Sequence, residues 1–174
     1  MKRFFAILLL AALTLSLTGC FGKSNSSAEE PSSEPPALST YAKDYFGLQQ
    51  YLVDYGLVPE VDLKKYNPAT PNEPAEDESS GVRTKVYYDL VGADRGIRFN
   101  LNGAAFIEIY EYTNADNALA KQILADLKAE KKITVEGNPD ELTGKVSKSG
   151  NFVILYNEKN SYDYDEITKV LENW

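Results

Sequence analysis

The stretch that decides the fold is IRFNLNGAAFIEI, residues 97–109. Apolar and polar side chains alternate on both sides of Asn102-Gly103, and an Asn-Gly dipeptide between two such runs is the strongest short signal for a β-hairpin. A loop with an odd number of residues, with Gly103 in the left-handed conformation, brings the apolar side chains of both strands to one face. The sequence therefore predicts a hairpin with this buried face: Ile97, Phe99, Leu101, Ala105, Ile107 and Ile109.

The other face of this hairpin mixes polar and aromatic side chains. Arg98 and Glu108 are expected to form a cross-strand ion pair. Two alternatives remain for the aromatic side chains: a helix or a loop covers them, or they are exposed and form a binding surface. The residues of this candidate interaction surface are Arg98, Phe106, Tyr110 and Tyr112.

A helix is predicted before the hairpin, because apolar residues follow one another at spacings typical of one helix face and Gly56 then supplies a C-cap. Its tyrosines belong either to the core, which is the preferred interpretation, or to a platform that binds sugar or peptide. Residues 82–91 fit both a helix and a strand, and the helical spacing is preferred. The stripe of the first helix comprises Tyr41, Tyr45, Leu48, Leu52 and Tyr55.

Two more helices and a second hairpin are predicted after residue 112. Thr113 or Asn114 is expected to cap a helix with the apolar stripe Leu119, Ile123 and Leu127. The second hairpin has strands at 144–147 and 151–156, and the helix after it is amphipathic. The apolar stripe of this last helix comprises Ile167, Val170, Leu171 and Trp174.

The order strand, turn, strand, helix thus occurs twice. Two such ββα units commonly share one antiparallel sheet with the helices packed on a single face. The predicted fold class is therefore α+β: two layers, with an antiparallel sheet of about four strands from two ββα units, helices packed on one face, and an additional N-terminal helix.

The first residues have the pattern of an export signal. Lys2 and Arg3 precede an apolar run at 4–17 that is shorter than the roughly 20 residues of a transmembrane helix. The following residues, Leu17-Thr18-Gly19-Cys20, resemble the lipobox of bacterial lipoproteins. This resemblance implies that residues 1–19 are a cleaved signal peptide and that a diacylglyceryl group is attached to Cys20. The expected location is the cell membrane, lipid-anchored and facing the outside of the cytoplasm.

The mature chain divides into a tether and a domain. Residues 20–39 are rich in serine, proline and glutamate and have too few apolar side chains to offset the cost of ordering them. Residues 40–174 are predicted to form a single α+β domain of ordinary size. It includes a long polar loop at about 58–81, for which a disordered insertion is preferred over an interaction loop.

Charge narrows the range of partners. The chain has 26 acidic and 18 basic residues, and loss of the signal peptide removes Lys2 and Arg3. Such a surface is repelled by phosphates, so we expect no nucleic-acid partner. The expected partners are the lipid bilayer, through Cys20, and an envelope protein or glycan.

Composition also limits the chemistry. Without histidine and with one cysteine, histidine-based triads, cysteine proteases and nearly all zinc, copper and iron sites are excluded, and we predict no catalytic residue, metal ligand or cofactor. Carboxylate chemistry remains, through Asp163, Asp165 and Glu166 or through residues 76–78, although the first group is expected to cap the last helix. The favoured function is a non-enzymatic binding or interaction module. The alternative is a small carboxylate-dependent hydrolase acting on cell-wall or extracellular glycans.

A second resemblance concerns the folded part. Residues 41–174 are similar to small lipoprotein domains of Gram-positive bacteria, in the stretches around Gly92-Ala93, 106–112 and 150–156. The resemblance supports the lipoprotein assignment and implies no particular activity.

Overall fold

Two β-hairpins, each followed by a helix, form the centre of the computed structural model. The structure describes residues 36–66, 82–83, 88–114, 116–158 and 161–174. No helix within these ranges has the length and apolarity needed to cross a bilayer. The helices are α1 (Tyr45–Asp54), α2 (Ala118–Lys128) and α3 (Asp165–Lys169), and the strands are β1 (Val82–Arg83), β2 (Arg95–Asn100), β3 (Phe106–Glu111), β4 (Thr143–Val146) and β5 (Phe152–Tyr156).

The strands form one antiparallel sheet of five strands in the order β1-β2-β3-β5-β4. The two hairpins are β2-β3 and β4-β5, and they meet through β3 and β5 in the middle of the sheet. Each hairpin precedes a helix, α2 or α3. The predicted α+β class and the two ββα units are thus confirmed, with the two-residue β1 as an addition to the predicted strands.

The first hairpin has the predicted register. Ile97 lies opposite Ile109, and Arg98 lies opposite Glu108. The loop is closed by a hydrogen bond from the Leu101 amide to the Ala105 carbonyl oxygen of 2.8 Å. Gly103 has φ of +66°, a conformation that costs glycine little. The odd-numbered loop is confirmed.

The prediction that the helices pack on one face is wrong, because α2 lies on the opposite side of the sheet from α1 and α3. On the first face, Ile109 and Ile154 share a core with residues of α1 and α3. On the second face, Tyr110 and Val153 share a separate core with Ala120 and other residues of α2. The structure therefore has three layers, not two.

The physical reason lies in the two central strands. Every residue of β5 is buried, and the strand reads FVILY without a polar position. A strand that is apolar on both faces must be covered on both faces, whereas alternating strands leave one face to solvent. The strand β3 is covered on both faces as well, since all of its residues except Phe106 are buried.

Local signals set the ends of α1. The side chain of Asp44 accepts hydrogen bonds from the amides of Phe46 (3.0 Å) and Gly47 (2.8 Å), which makes it the N-cap. Tyr41 therefore lies before the helix. Gly56, with φ of +65°, follows the C-cap residue Tyr55, as predicted.

The ambiguous segment at residues 82–91 contains both kinds of backbone. Val82–Arg83 is a strand opposite Phe99 and Arg98, so the preference for a helix is wrong there, and Asp89–Val91 is a 3-10 turn. Residues 84–87 lie outside the described part. Val82 is fully buried on the first face of the sheet, and this packing outweighs its helical spacing.

The N-cap of α2 is Asn117, and not Thr113 or Asn114 as predicted. The Asn117 side chain accepts a hydrogen bond from the amide of Ala120 (2.7 Å) and donates one to the carbonyl oxygen of Gly92 (3.1 Å). Starting the helix here turns Ala120, Ile123 and Leu127 towards the core. Leu119, the first residue of the predicted stripe, is consequently 43 % exposed.

The last helical segment is α3 continued by a 3-10 turn over Val170–Asn173. All four apolar residues predicted for its stripe are buried. Its end is attached to the second hairpin, because the amides of Lys148 and Ser149 donate to the carbonyl oxygens of Leu171 (3.1 Å) and Trp174 (2.9 Å).

The first part of the predicted polar loop belongs to the first core. Val58, Leu63 and Tyr66 are buried there. Residues 67–81 lie outside the described part, so the preference for a disordered insertion remains a prediction for them.

Candidate binding surface

Of the predicted interaction residues, Tyr110 and Tyr112 are buried. Tyr110 is fully inaccessible and donates a hydrogen bond to Oε2 of Glu108 (2.9 Å), while Tyr112 donates to the carbonyl oxygen of Val91 (3.1 Å). Burial raises the pKa of both phenols, so both remain donors. Of the two alternatives for these aromatic side chains, cover by a helix is therefore the one that holds for Tyr110 and Tyr112, since both pack against α2. Cys20 lies outside the described residues.

Arg98 forms an ion pair with the buried Glu108 and lies over the ring of Phe106. The guanidinium group of Arg98 lies 4.0 Å from the Phe106 ring centroid, and its Nε donates to Oε1 of Glu108 (2.8 Å). Glu108 has no exposed surface and is also bonded to Tyr110. The predicted cross-strand pair is thus confirmed, and this cluster holds a buried charge within the second core.

A second buried carboxylate lies on the other face of β3. Glu111 pairs with Arg95 and accepts a hydrogen bond from Oγ1 of Thr113 (3.0 Å). The Arg95 guanidinium lies 4.4 Å from the ring centroid of Tyr45 in α1. Glu108 and Glu111 are the buried acids of the described residues, and they point to opposite faces of the sheet. They cannot act together on one substrate.

The acidic residues near α3 have a local role. Oδ1 of Asp163 accepts a hydrogen bond from the amide of Asp165 (3.0 Å), the first residue of α3. The N-cap itself is Tyr164, which makes no side-chain capping bond, so the prediction of Asp163 or Asp165 as N-cap is wrong. Within the ranges that the structure describes, no group of three or more acidic, histidine or cysteine residues is arranged to hold a metal ion. Residues 76–78 lie outside those ranges.

Three partly exposed tyrosines lie side by side on the outer surface of α1, and we call Tyr41, Tyr51 and Tyr55 the tyrosine shelf. The rings of Tyr51 and Tyr55 are stacked, with centroids 4.1 Å apart and planes inclined by 22°. Tyr41 meets Tyr51 edge to face at 5.3 Å. Tyr55 is 36 % exposed. An open stack of this kind offers an apolar surface to a flat ligand.

Hydrogen bonds hold the shelf in position. Tyr41 donates to Oδ2 of Asp54 (2.9 Å), whose Oδ1 accepts from Gln50 (2.6 Å). Partial burial and the bond to Asp54 raise the pKa of Tyr41 to about 12, so its hydroxyl remains protonated. Tyr55 donates to the carbonyl oxygen of Pro36 (3.0 Å). The shelf is therefore preorganised.

Trp174 supports the shelf from beneath. Its ring is buried and lies 5.4 Å from that of Tyr51. The ammonium group of Lys43 lies 3.7 Å from the Trp174 ring centroid, a favourable cation–π distance.

A cavity of about 340 Å³ opens beside the shelf, and we call it the shelf cavity. Tyr51 and Tyr55 form one wall, and the other wall contains Glu166, Lys169 and Asn173 from the last helical segment. Within the described part of the chain, the side chains of these three residues make no hydrogen bond or ion pair. An aromatic wall thus faces three free polar groups.

A wider groove of about 870 Å³ lies on the other side of α3 and shares Glu166 and Lys169 with the shelf cavity. It adjoins the edge strand β4. The chain itself closes this edge at both ends, through the bridge of Leu142 to Ile133 and the bond of Lys148 to Leu171. The groove therefore offers no long strand edge for another chain to pair with.

The sequence indicated only half of the shelf cavity. Tyr41 and Tyr55 belonged to the predicted helix stripe, whose tyrosines were expected either in the core or on a binding platform. Tyr45 of the same stripe lies in the core, whereas Tyr41 and Tyr55 lie on the surface. Tyr51 was missed, although its spacing of four residues from Tyr55 is a signal for side chains that meet on a helix. Of the polar wall, the sequence singled out only Glu166, as part of the carboxylate group near the last helix.

Comparisons with protein-family models, curated proteins and solved structures found no match to this chain.

Proposed function

We propose that this protein is a lipid-anchored, extracytoplasmic binding module that uses the shelf cavity and has no catalytic activity. The observation that carries the proposal is the pairing of a preorganised tyrosine wall with three polar side chains that have no partner among the described residues. Ligand sites typically combine an apolar surface with a few polar groups that fix the orientation of the ligand.

The membrane anchor is supported by the lipobox-like residues Leu17-Thr18-Gly19-Cys20. Two acyl chains on Cys20 are enough for stable attachment, whereas one gives only marginal binding. Residues 20–35 span at most about 55 Å when fully extended. The binding module therefore acts close to the membrane that carries it.

A binding role is favoured over hydrolysis by the arrangement of the carboxylates. Glycoside hydrolases require two acids on opposite sides of the scissile bond, about 5 to 9.5 Å apart. Glu166 is the only acid among the described residues that line the shelf cavity. The buried acids Glu108 and Glu111 are each paired with an arginine.

The anchor is tested by Cys20→Ser in the full chain. We expect the variant to escape lipid attachment and signal cleavage before residue 20, because the acceptor thiol is absent. Metabolic labelling with a fatty acid and cell fractionation measure this, and labelling should fall to background. Lipid labelling and membrane attachment equal to those of the unchanged chain would contradict the proposal.

The binding surface is tested by photo-crosslinking on intact cells. A diazirine amino acid at position 57, where Leu57 lines the cavity, should give a discrete covalent adduct of the full-length protein. The control position is 119 on α2, where Leu119 is exposed and belongs to the helix on the other face of the sheet. Adducts from both positions alike, or from neither, would count against the shelf cavity as the binding site.

A further inference from the structure

We infer that the ligand of the shelf cavity is an uncharged sugar unit of a glycan. This inference rests on the proposed function and adds the chemical class of the ligand. It follows from the chemistry of the two cavity walls, from the balance of charge among the lining residues, and from the hydrogen bonds that already engage the hydroxyls of Tyr41 and Tyr55.

The aromatic wall suits the C–H face of a pyranose ring. Tyr55 is 36 % exposed and stacked on Tyr51, so an additional ring can extend the stack. The hydrogen bonds of Tyr41 and Tyr55 hold the rings before any ligand arrives. Preorganisation of this kind lowers the entropy cost of binding.

The polar wall suits the hydroxyl groups of the same ring. Each sugar hydroxyl donates one hydrogen bond and accepts others, so a site needs donors and acceptors close together. Glu166 supplies acceptors, Lys169 supplies donors, and Asn173 supplies both. A ligand with an apolar face and a hydroxyl-bearing edge uses both walls of the cavity at once.

Charge and size are consistent with a neutral sugar. Glu166 and Lys169 are the charged residues among the described lining, and their charges cancel. The described lining therefore has no excess of positive charge with which to bind a phosphate or a strongly acidic ligand. The volume of about 340 Å³ lies at the lower end of the range of ligand pockets, roughly 300–1,000 Å³, which suits one short sugar segment.

A proline-rich peptide fits the surface less well. Aromatic grooves that bind such peptides direct side-chain donors to the peptide carbonyl groups. Here the hydroxyl of Tyr55 is already bonded to the carbonyl oxygen of Pro36, and that of Tyr41 to Asp54. Two of the three shelf hydroxyls are thus already engaged within the chain, whereas the ring faces and the polar wall remain available.

The test uses full-length lipidated protein in phosphatidylcholine vesicles and isothermal titration calorimetry. The probes are neutral trisaccharides of glucose, galactose and N-acetylglucosamine, with inorganic phosphate and a proline-rich peptide for comparison. At least one trisaccharide should bind, and phosphate and peptide should not. Tyr55→Ala should raise the Kd about tenfold or more, the usual effect of removing a central aromatic contact.

Two further variants distinguish contacts with the ligand from effects on folding. Tyr55→Phe keeps the ring and loses the hydroxyl that bonds to Pro36, so its Kd should rise much less than that of Tyr55→Ala. Asn173→Ala should weaken binding, whereas Asn114→Ala, which changes an exposed asparagine outside the cavity, should not. Thermal unfolding of each variant confirms that it is folded.

The outcomes distinguish the inference from the proposed function. Trisaccharide binding that is unaffected by Tyr55→Ala, or binding of the peptide alone, would overturn the sugar inference. If no trisaccharide binds but position 57 still yields a specific adduct, the binding module stands and the sugar inference fails. If both experiments are negative, both fail.

Discussion

Arg98→Ala is expected to lower the free energy of unfolding by about 3–5 kcal/mol, the usual cost of removing one partner of a buried ion pair. Glu108 has no exposed surface, and Arg98 is 18 % exposed. Without the guanidinium group, the carboxylate of Glu108 keeps only the hydroxyl of Tyr110 as a side-chain partner among the described residues. Urea unfolding followed by circular dichroism measures the change.

Two controls accompany this prediction. Lys121→Ala removes an ion pair with Asp116 that is largely exposed, 66 % and 91 %, and should have no measurable effect. The triple variant Arg98→Met, Glu108→Leu, Tyr110→Phe replaces the network by apolar groups and should regain most of the lost stability. A loss below about 1 kcal/mol in Arg98→Ala would show that the pair contributes no more than a surface pair.

Gly47→Ala is expected to lower the free energy of unfolding, although helix propensity alone predicts that it raises it. Alanine in the middle of a helix is favoured over glycine by about 1 kcal/mol. In the folded chain, however, a Cβ atom at Gly47 would lie 1.9 Å from the carbonyl oxygen of Ala42 and 2.8 Å from its carbonyl carbon. Relief of this clash requires the backbone to move, so we expect a loss of about 3 kcal/mol.

Gly56→Ala is the matched control on the same helix. A Cβ atom there meets nothing within 4 Å, but the φ of +65° is unfavourable for alanine, at roughly 1–2 kcal/mol. Thermal and urea unfolding should therefore rank Gly47→Ala as the more damaging change. A gain in stability on Gly47→Ala would mean that the chain before α1 does not pack against it.

The fold was predicted well where the signal is local. Asn102-Gly103 set the loop, and the alternation around it identified Ile97, Phe99, Ile107 and Ile109 as one buried face. The same holds for the final stripe ending at Trp174. Period-two and period-3.6 patterns depend on neighbouring residues alone, so they can be read without the tertiary structure.

The errors have an identifiable physical source. The unbroken run Phe152-Val153-Ile154-Leu155-Tyr156 must be covered on both faces, whereas the two-layer prediction left one face of the sheet open. Residues 82–83 fit helical spacing as well as strand alternation, and pairing with Phe99 decided between them. Tertiary contacts commonly outweigh weak local preferences.

The candidate site was predictable only in part. Tyr41 and Tyr55 stood out in the predicted helix stripe, and Tyr110 and Tyr112, which were candidates for an exposed surface, are covered by α2. Glu166 was named only as part of a carboxylate group, and Lys169 and Asn173 belonged to no motif. Exposed polar residues without a motif are common, and only a neighbouring aromatic wall distinguishes these three.

The two hairpins, the buried face of the first one, the acidic charge and the lipobox-like segment ending at Cys20 can be recognised in the sequence, since each of these is encoded in adjacent residues. Only folding of the whole chain makes the helices cover both faces of the sheet, encloses Glu108 with Arg98, and brings the shelf tyrosines opposite Glu166, Lys169 and Asn173. These features depend on contacts between residues far apart in the chain, and such contacts are selected by the packing of the whole core.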